Sequence, residues 1–352
     1  MALLDRIKAL IRATGPLSIP QYMELCLHDP REGYYASRPA LGEKGDFITA
    51  PLVSQMFGEI IGAWLVETWR RMGSPDAFRL VELGPGDGTL MDDIQRTVRQ
   101  TAGFIAAQEI WLVETSPPLA DLQGKRLGDR PRWVRSVAEI PDGRPMLIVS
   151  NELLDCLPAR QFVRTARGWS ERGVGQNATG DLTFGLMVSL SADTFPAAAE
   201  GTVIEVSAAQ EDLARTLAQR IFIDGGAALL IDYGRSEPGF GDTLQAISEH
   251  RKVSPLADPG QADLTVHADF PAVVHAAAAE GLAHLPILTQ GAFLMKMGVL
   301  ERAESLAAAH PEKFDALERQ LNRLISPGEM GDLFKVVCLA RPDLTPPGFE
   351  AP

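Results

Sequence analysis

The chain has 352 residues, of which 45% are hydrophobic, enough for one large domain with additions or for two domains. Its formal net charge of −13 argues against a nucleic-acid partner, because binding to phosphates requires a basic surface. The longest apolar strand candidate runs only from Ala227 to Ile231, so no segment has the length of a membrane span. The N-terminal residues have the pattern of a folded helix and not of a targeting segment. We therefore expect a bacterial cytoplasmic protein.

The cysteines give no sign of a metal site or of disulfide bonds. Cys26, Cys156 and Cys338 lie far apart in apolar surroundings, without the spacing of metal ligands. We expect reduced thiols in the core, as in proteins of a reducing compartment. The sequence also lacks an H-E-x-x-H motif, a nucleophile elbow and other clusters of metal ligands, so no metal is expected.

The first 75 residues are expected to form a helical region. Ser18-Ile19-Pro20-Gln21 has the pattern of a capping box and predicts a helix that ends near Asp29. A glycine-rich loop follows, from Gly33 to Ala50. Thr49 is then expected to cap one long helix that continues to Gly73.

The sequence from Arg79 to Gly88, RLVELGPGDG, has the pattern of a cofactor cradle. An apolar strand is followed by three glycines, Gly84, Gly86 and Gly88, and then by a helix candidate, Thr89 to Val98. Glycine lets the backbone turn tightly and approach a ligand closely, because it has no Cβ. A purely structural tight turn is the alternative interpretation.

The spacing of these glycines differs from that of dinucleotide-binding proteins. The dinucleotide fingerprint has its third glycine three residues after the second, whereas Gly88 follows Gly86 by two. Glu82 also lies at the end of the strand, where its carboxylate would repel an anionic ligand. A cationic ligand with an amino group, such as S-adenosylmethionine, fits this pattern better.

From Phe78 onwards, strand candidates alternate with helices, which predicts a parallel sheet covered on both faces. The strand candidates are Arg79 to Leu83, Ile110 to Glu114, Arg132 to Val134, Met146 to Ser150 and Ala227 to Ile231. Residues 160–206 interrupt the alternation and are expected to form inserted antiparallel strands. A strand from His284 to Thr289, helices through Leu324 and a strand from Leu333 to Ala340 are expected near the end of the chain.

Polar side chains at the ends of two strands are candidate site residues, because ligands of open parallel sheets bind at the carboxyl ends of the strands. Glu114 ends the second strand and could accept both ribose hydroxyls of an adenosine ligand. It could instead be an acid at the start of the next helix. After the fourth strand, Asn151, Glu152 and Asp155 are costly to desolvate, so we expect them to be functional or well paired.

Asn151 could position a substrate, and the two carboxylates could hold and deprotonate a nitrogen nucleophile. Helix capping by Asn151 and a first-turn role for Asp155 are the alternatives.

The fifth strand ends near Tyr233, and a long loop to His267 is expected to follow it. Long loops in compact domains are often lids. His267 and Asp269 could act together as a base. An ordinary polar role for His267 and a helix start at Asp269 are the favoured interpretation.

Motifs along nearly the whole chain resemble those of one family. They are GDFITAP at 45–51, SQMFGE at 54–59, VELGPGDGTL at 81–90, NELLDCLPARQF at 151–162, IDYG at 231–234, GDTLQA at 241–246, PGQADLTVHADF at 259–270 and TQGAFL at 289–294. The family is that of the class I S-adenosylmethionine-dependent methyltransferases of the MidA group. Its mitochondrial members are complex I assembly factors of the NDUFAF-seven type.

The resemblance implies a fold, a cofactor and a class of partner. The fold would be α/β, with a Rossmann-like seven-stranded class I methyltransferase sheet, an N-terminal helical extension, and inserted antiparallel strands and helices. We divide the chain into an N-terminal region at 1–75 and a methyltransferase core at 76–352, with insertions at about 160–206 and 291–325. The cofactor would be S-adenosyl-L-methionine, and the partner a protein, because eukaryotic members are associated with symmetric dimethylation of an arginine in a complex I subunit.

The resemblance also implies roles for individual residues. Glu82 would lie near the amino group of the cofactor, and Glu114 would hold its ribose. The methionine part would be cradled by Gly84, Gly86 and Gly88. The loop that closes over the cofactor would contain Gly45, Asp46, Phe47 and Thr49.

Two positions depart from the pattern expected of this family. Asp87 stands within the glycine turn where arginine is expected, and Leu52 follows Pro51 where glutamate is expected. Asp87 adds a negative charge near the cofactor, which would alter the affinity for the cofactor's carboxylate. Neither departure removes a glycine or the ribose acid, so binding of the cofactor is still expected.

We therefore predict an S-adenosylmethionine-dependent methyltransferase that modifies a protein arginine and aids assembly of a complex. Methyl transfer is an in-line displacement that depends mainly on alignment, and for an arginine nucleophile Glu152 and Asp155 would grip the guanidinium and take its proton. A non-catalytic assembly chaperone that retains the cofactor pocket is one alternative. A nicotinamide-dependent oxidoreductase is another, which the glycine spacing and Glu82 disfavour.

Overall fold

A mixed sheet of eight strands forms the centre of the described part of the chain, which comprises residues 1–37, 49–190, 194–248 and 250–350 of a computed structural model. The helices are α1 (Leu3–Thr14), α2 (Ile19–His28), α3 (Tyr34–Ser37), α4 (Ala50–Val53), α5 (Gln55–Arg71), α6 (Thr89–Val98), α7 (Ala102–Ala107), α8 (Pro117–Leu127), α9 (Ala208–Asp224), α10 (Phe270–Ala279), α11 (Gln290–Lys296), α12 (Val299–Ala309), α13 (Phe314–Ile325) and α14 (Met330–Leu333). The strands are β1 (Leu17–Ser18), β2 (Phe78–Leu83), β3 (Gln108–Val113), β4 (Arg132–Val134), β5 (Met146–Asn151), β6 (Arg160–Thr165), β7 (Gly168–Gln176), β8 (Leu182–Leu190), β9 (Val203–Val206), β10 (Gly226–Arg235), β11 (Gln245–Ser248), β12 (Arg251–Val253), β13 (Asp263–Thr265), β14 (Ala268–Asp269), β15 (Leu288–Thr289) and β16 (Phe334–Ala340). Short 3₁₀ turns occur at Val137–Glu139, Leu154–Cys156 and Pro311–Lys313.

The central sheet has the strand order β15-β16-β10-β5-β2-β3-β4. Strands β4, β3, β2, β5 and β10 are parallel, β16 is antiparallel to β10, and β15 is antiparallel to β16. The two-residue strand β14 pairs with the end of β10 as an eighth member. The predicted seven-stranded sheet is thus confirmed, with one short strand added to it. The chain reverses its direction across the sheet between β2 and β5, and such a switch point opens a crevice at the carboxyl ends of these strands.

Apolar side chains cover the sheet on both faces. Successive residues of β2 point to opposite faces, so Leu80 packs with α5 and α6 while Val81 packs with α9 and α10. All six residues of β2 are buried, as expected of a central parallel strand. The site at the end of β2 therefore rests on a rigid, desolvated base.

Helix α5 packs closely on α6 through small residues. A Cβ atom on Gly58 would lie 2.4 Å from the Cβ of Asp93, and one on Gly62 would lie 2.9 Å from the Cβ of Thr97. Glycine at these two positions allows the two helix backbones to approach each other.

The N-terminal helices belong to a different core. Residues of α1 and α2, such as Ile7 and Tyr22, pack with Val174 of the inserted sheet and Leu264 of β13. The inserted sheet contains β1, β7, β6 and β9 in that order, with β8 paired to β7. Helix α5 lies within residues 1–75 but packs on the central sheet. The division at residue 75 stays a prediction.

The two predicted helix starts differ in outcome. The capping box is confirmed, because Gln21 N–H donates to Ser18 Oγ and Ser18 N–H donates to Gln21 Oε1. The single long helix from Thr49 is wrong. The chain is extended at Ser54, whose side chain accepts from Met56 N–H, so α4 ends there and α5 begins as a separate helix.

The expected long loop after β10 is also wrong. Strands β11, β12 and β13 form a separate antiparallel sheet in this region. Gln245 pairs with Thr265 and Ile247 with Asp263, so two stretches within the expected loop are strands that pair with each other. In the described part of the chain, no helix combines the length and the apolar character needed to cross a bilayer.

Candidate active site

A cavity of about 280 Å³ lies at the carboxyl ends of β2, β3 and β5, where the switch point of the sheet predicts a ligand. Most of the predicted site residues line this cavity. They are Thr49, Glu82, Gly84, Gly86, Glu114, Asn151, Glu152 and Asp155. Gly88 does not line the cavity and is the N-terminal cap of α6. Gly45, Asp46 and Phe47 are outside the described residues, so their predicted role in covering the cofactor stays a prediction.

The glycine turn has a backbone that side chains disfavour. The φ angles are +64° at Gly84, +57° at Gly86 and +84° at Gly88, all in the left-handed region. Gly84 N–H donates to the carbonyl oxygen of Val113, which ties the turn to β3. A Cβ at Gly84 would also lie 3.1 Å from a methyl carbon of Leu153. These glycines are therefore required by the turn itself as well as by access to the cavity.

Glu82 is a buried carboxyl that faces this cavity. Its side chain is 2% exposed, and its Oε2 atom has no hydrogen-bond partner among the described residues. Burial, reinforced by the negative charges of Asp87 and Glu114, raises the pKa of Glu82 to about 8. A cationic ligand would supply the missing partner, so the residue fits the amino group of S-adenosylmethionine.

Glu114 is held by two donors at the end of β3. Its Oε1 accepts from Ser116 N–H at 2.7 Å, and its Oε2 accepts from Gln123 Nε2 at 2.9 Å. Burial raises the pKa of Glu114, while these donors oppose the shift. Each carboxylate oxygen has a second acceptor site, so two ribose hydroxyls can still bind.

Gln123 supports the site through hydrogen bonds without lining the cavity, and the sequence analysis did not identify it. This fully buried side chain of α8 donates to the carbonyl oxygen of Gly86 at 2.8 Å as well as to Glu114, and it accepts from Trp133 Nε1 at 2.9 Å. It therefore fixes the glycine turn relative to the predicted ribose acid. The signal in the sequence was a glutamine on the apolar face of a helix, which needs a partner when buried.

Asp87 is paired by an arginine from α8. Arg126 Nη2 donates to Asp87 Oδ2 at 2.9 Å, and Arg126 Nε donates to the carbonyl oxygen of Asp87 at 3.0 Å. Asp87 Oδ1 accepts from Thr89 N–H at the start of α6. The negative charge noted in the sequence is thus largely compensated, and an arginine does lie beside the glycine turn, although it comes from another element.

Asn151 and Glu152 form a hydrogen-bonded pair at the end of β5. Asn151 Nδ2 donates to Glu152 Oε1 at 2.9 Å, and Ala50 N–H donates to the same oxygen at 3.3 Å. The Oδ1 atom of Asn151 is buried and has no partner among the described residues. Burial and the charge of Asp155 raise the pKa of Glu152 to about 8. Glu152 has a φ of +55°, a strained backbone conformation for a residue other than glycine.

Asp155 is more deeply buried than Glu152, and both of its carboxylate oxygens accept hydrogen bonds. Its carboxylate accepts from the Tyr233 hydroxyl and from Cys156 Sγ, and its N–H donates to Asp232 Oδ2 at 3.1 Å. Its side chain is only 4% exposed. Burial raises the pKa of Asp155, while the tyrosine donor opposes the shift. The two predicted carboxylates are therefore unequal, since Glu152 is the more accessible one.

Three further observations bear on the sequence predictions. Cys156 lines the cavity, so the expectation of a core thiol is wrong for it, whereas Cys26 and Cys338 are buried as expected. His267 packs edge-on against the ring of Tyr233 with centroids 5.5 Å apart. Asp269 caps α10 by accepting from Ala272 N–H, as the favoured interpretation predicted.

Comparisons with known proteins identify the family. A family model described as "Putative S-adenosyl-L-methionine-dependent methyltransferase" matches residues 60–288, which is more than half of the chain. The chain belongs to this methyltransferase family. The mouse mitochondrial protein arginine methyltransferase NDUFAF7 is 35% identical, over 94% of this chain and 82% of its own. The Drosophila melanogaster homolog is 34% identical, over 96% of this chain and 84% of its own.

Solved structures agree with this assignment. A protein from Burkholderia thailandensis, crystallised with bound S-adenosyl-homocysteine, has a TM-score of 0.81 and 26% identity, with 99% of this chain and 92% of that chain covered. A native crystal structure from the same organism has a TM-score of 0.83. The class I methyltransferase fold and the S-adenosylmethionine-dependent activity predicted from the sequence are confirmed. The roles of individual site residues stay predictions.

Proposed function

We propose that this methyltransferase transfers a methyl group from S-adenosylmethionine to an arginine side chain of a protein. The observation that carries the proposal is the acceptor-rich end of the cavity, formed by Asn151, Glu152 and Asp155. A guanidinium has five N–H donors and no acceptor, so it matches a wall of acceptors. The relatives named protein arginine methyltransferase support the same choice.

In this proposal the cofactor occupies the other end of the cavity. Glu82 binds its amino group, the turn around Gly84 and Gly86 accommodates its methionine part, and Glu114 binds its ribose. When bound, the cofactor supplies a methyl group on a sulfonium, which is activated for displacement. The paired charges of Asp87 and Arg126 leave the turn close to neutral.

At the acceptor end, Glu152 is the residue that contacts the guanidinium and accepts its proton. With a pKa of about 8, its carboxyl is mostly protonated at neutral pH, and an arriving cation favours its ionisation. The carboxylate can then orient one guanidinium nitrogen and take the proton that this nitrogen loses on methylation. The carbonyl oxygen of Asn151 accepts a second N–H, and Asp155 supports the site from behind.

We also propose a subunit of respiratory complex I as the substrate, because the family that the sequence motifs resemble includes complex I assembly factors. We propose the cytoplasm as the compartment. The free thiols of Cys26, Cys156 and Cys338 support a reducing environment.

Methyl transfer to a knockout lysate tests the activity. Lysate from cells that lack the protein is incubated with S-adenosylmethionine labelled in its methyl group and with the wild type, Glu152→Gln or Asp155→Asn. We expect the wild type to label a protein on arginine, and Glu152→Gln to lower the rate roughly 100-fold, because an acid–base group contributes about that factor or more. Asp155→Asn should lower it less.

Binding of S-adenosylhomocysteine, measured by calorimetry, should stay within about threefold of the wild type for both variants. Glu304→Gln, an exposed change on α12, is the matched control and should leave the rate unchanged. Label on a residue other than arginine, or an unchanged rate in Glu152→Gln, would contradict the proposal. Cofactor binding without any labelled protein would favour an assembly chaperone.

A further inference from the structure

Tyr35 contacts both ends of the cavity from an element that the sequence motifs do not include. It lies on α3 and lines the cavity, and its ring stacks on His28 with centroids 6.0 Å apart. Its hydroxyl donates to Asp263 Oδ2 at 2.8 Å and lies 3.1 Å from Cys156 Sγ. Its backbone carbonyl accepts from the hydroxyl of Ser116.

These contacts lead to the two halves of the proposed site by short routes. Ser116 N–H donates to Glu114 Oε1, so Ser116 links the backbone of Tyr35 to the predicted ribose acid by hydrogen bonds. Cys156 Sγ donates to Asp155 Oδ1 at 3.3 Å, so Cys156 lies between the hydroxyl of Tyr35 and the Asp155 carboxylate at the acceptor end. Asp263 is 4% exposed and lines the same end of the cavity.

We infer that Tyr35 is a positioning residue for the methyl-acceptor end, where its hydroxyl donates to Asp263 and packs against the Cys156 thiol that donates to Asp155. The inference rests on the proposed function for its effect on catalysis. A buried carboxylate keeps its orientation through the donors from which it accepts hydrogen bonds, so the loss of one donor gives it more freedom to turn. In-line methyl transfer depends on alignment. If the Asp155 carboxylate turns, the acceptor end loses part of its support for the guanidinium, and the rate of methyl transfer falls.

The chain offers a matched control for this role. Tyr22 of α2 is also buried, and its hydroxyl donates to the carbonyl oxygen of Pro255 at 2.8 Å. Tyr22 does not line the cavity. Tyr22→Phe and Tyr35→Phe therefore each remove one tyrosine hydroxyl from the N-terminal region, but only the hydroxyl of Tyr35 belongs to a residue that lines the cavity.

The experiment compares the wild type with both variants in the lysate methylation assay, with the amount of lysate protein varied. We expect Tyr35→Phe to lower the maximal rate about tenfold, the effect of losing one hydrogen bond to a charged group. The half-saturating amount of lysate protein and the dissociation constant for S-adenosylhomocysteine should stay within about twofold. Tyr22→Phe should lower only the melting temperature.

Alkylation of Cys156 supplies a readout that does not need a substrate. Iodoacetamide modification is followed by mass spectrometry, and the buried Cys26 and Cys338 serve as internal references. Tyr35→Phe should raise the rate of Cys156 modification at least about threefold, because the thiol loses its contact with the hydroxyl.

The outcomes separate the inference from the proposed function. If the wild type labels arginine and Tyr35→Phe keeps its maximal rate, the inference is overturned and the proposed function stands. If the wild type labels no arginine, the proposed function fails, and the rate of Cys156 alkylation alone tests the inference. An unchanged rate of Cys156 modification in Tyr35→Phe would then overturn the inference. A raised rate would support Tyr35 as the residue that positions Asp263 and Cys156.

Discussion

At the scale of single residues, Glu82 gives the clearest indication that the cavity binds a cation. Its Oε2 accepts no hydrogen bond from the described residues, and burial together with the charges of Asp87 and Glu114 raises its pKa to about 8. Because the folded pKa is above the unfolded one, the native state binds more protons between about pH 4.5 and 8. The contribution of Glu82 to stability therefore falls as the pH rises through this range.

We expect binding of S-adenosylhomocysteine to release close to one proton at pH 7. S-adenosylhomocysteine has the cationic amino group of the cofactor but not its sulfonium. Its amino group favours ionised Glu82, and no methyl group is involved. Calorimetry in buffers of different ionisation enthalpy measures the number of protons released, which should fall towards zero at pH 9. Glu82→Gln should bind more weakly and release no proton from this site. Equal proton release by the variant and the wild type would show that another group titrates.

At the scale of secondary-structure elements, local patterns predicted much and long-range contacts little. The strand β4 and the helix α6 have the predicted bounds, because burial periodicity and glycine turns are local signals. The break at Ser54 was missed because the apolar pattern continues across α4 and α5. The sheet formed by β11, β12 and β13 was missed because its strands are only three or four residues long.

The same limit applies to the site. Glu82, Glu114 and Glu152 could be predicted because they end strands, whose carboxyl ends meet at one edge of the sheet. The sequence marks Gln123 only as a glutamine on an apolar helix face and does not show its partners, and Tyr35 has no local signal at all. Both reach the site from α8 and α3 through contacts with residues distant in the sequence. Asp155 was predicted, but its hydrogen bond from Tyr233 of another strand was not.

The packing of α5 on α6 gives a stability prediction. Gly58→Ala should lower the free energy of unfolding by about 1–3 kcal/mol, because the new methyl group would overlap the Cβ of Asp93. Gly124→Ala, within α8, is the matched control, since a Cβ there meets no atom within 4 Å. It should raise stability by roughly 0.5–1 kcal/mol through helix propensity. Urea denaturation measures both changes, and equal effects of the two variants would rule out the close approach of the helices.

At the scale of the whole molecule, the cavity lies where several parts of the fold meet. The central sheet supplies Glu82, Glu114 and Asn151, while the N-terminal core supplies Tyr35 and the small sheet of β13 supplies Asp263. The strand order around this cavity was implied by the resemblance to a family. Periodicity alone indicated only a parallel sheet, because it carries no information about which strands are neighbours.

Ligand binding should therefore stabilise the whole chain, and the choice of ligand tests the cofactor. At 100 times its dissociation constant, S-adenosylhomocysteine should add about 2.7 kcal/mol to the free energy of unfolding. For 352 residues the unfolding entropy is about 0.7 kcal/mol per degree, so the melting temperature should rise by about 4 °C. Calorimetric melting with NAD at the same concentration should give no shift. A shift with NAD would revive the oxidoreductase alternative.

The left-handed backbone of Glu152 has a consequence for how this chain can change. A glycine at that position would relax a strain of about 1–3 kcal/mol, and it would also delete the carboxyl that faces the cavity. The substitution that most easily improves folding there is thus the one that removes the proposed chemistry. Redesign of this protein for heat tolerance should hold position 152 constant, because a screen that rewards stability alone would favour variants without the carboxyl to which we assign the proton transfer.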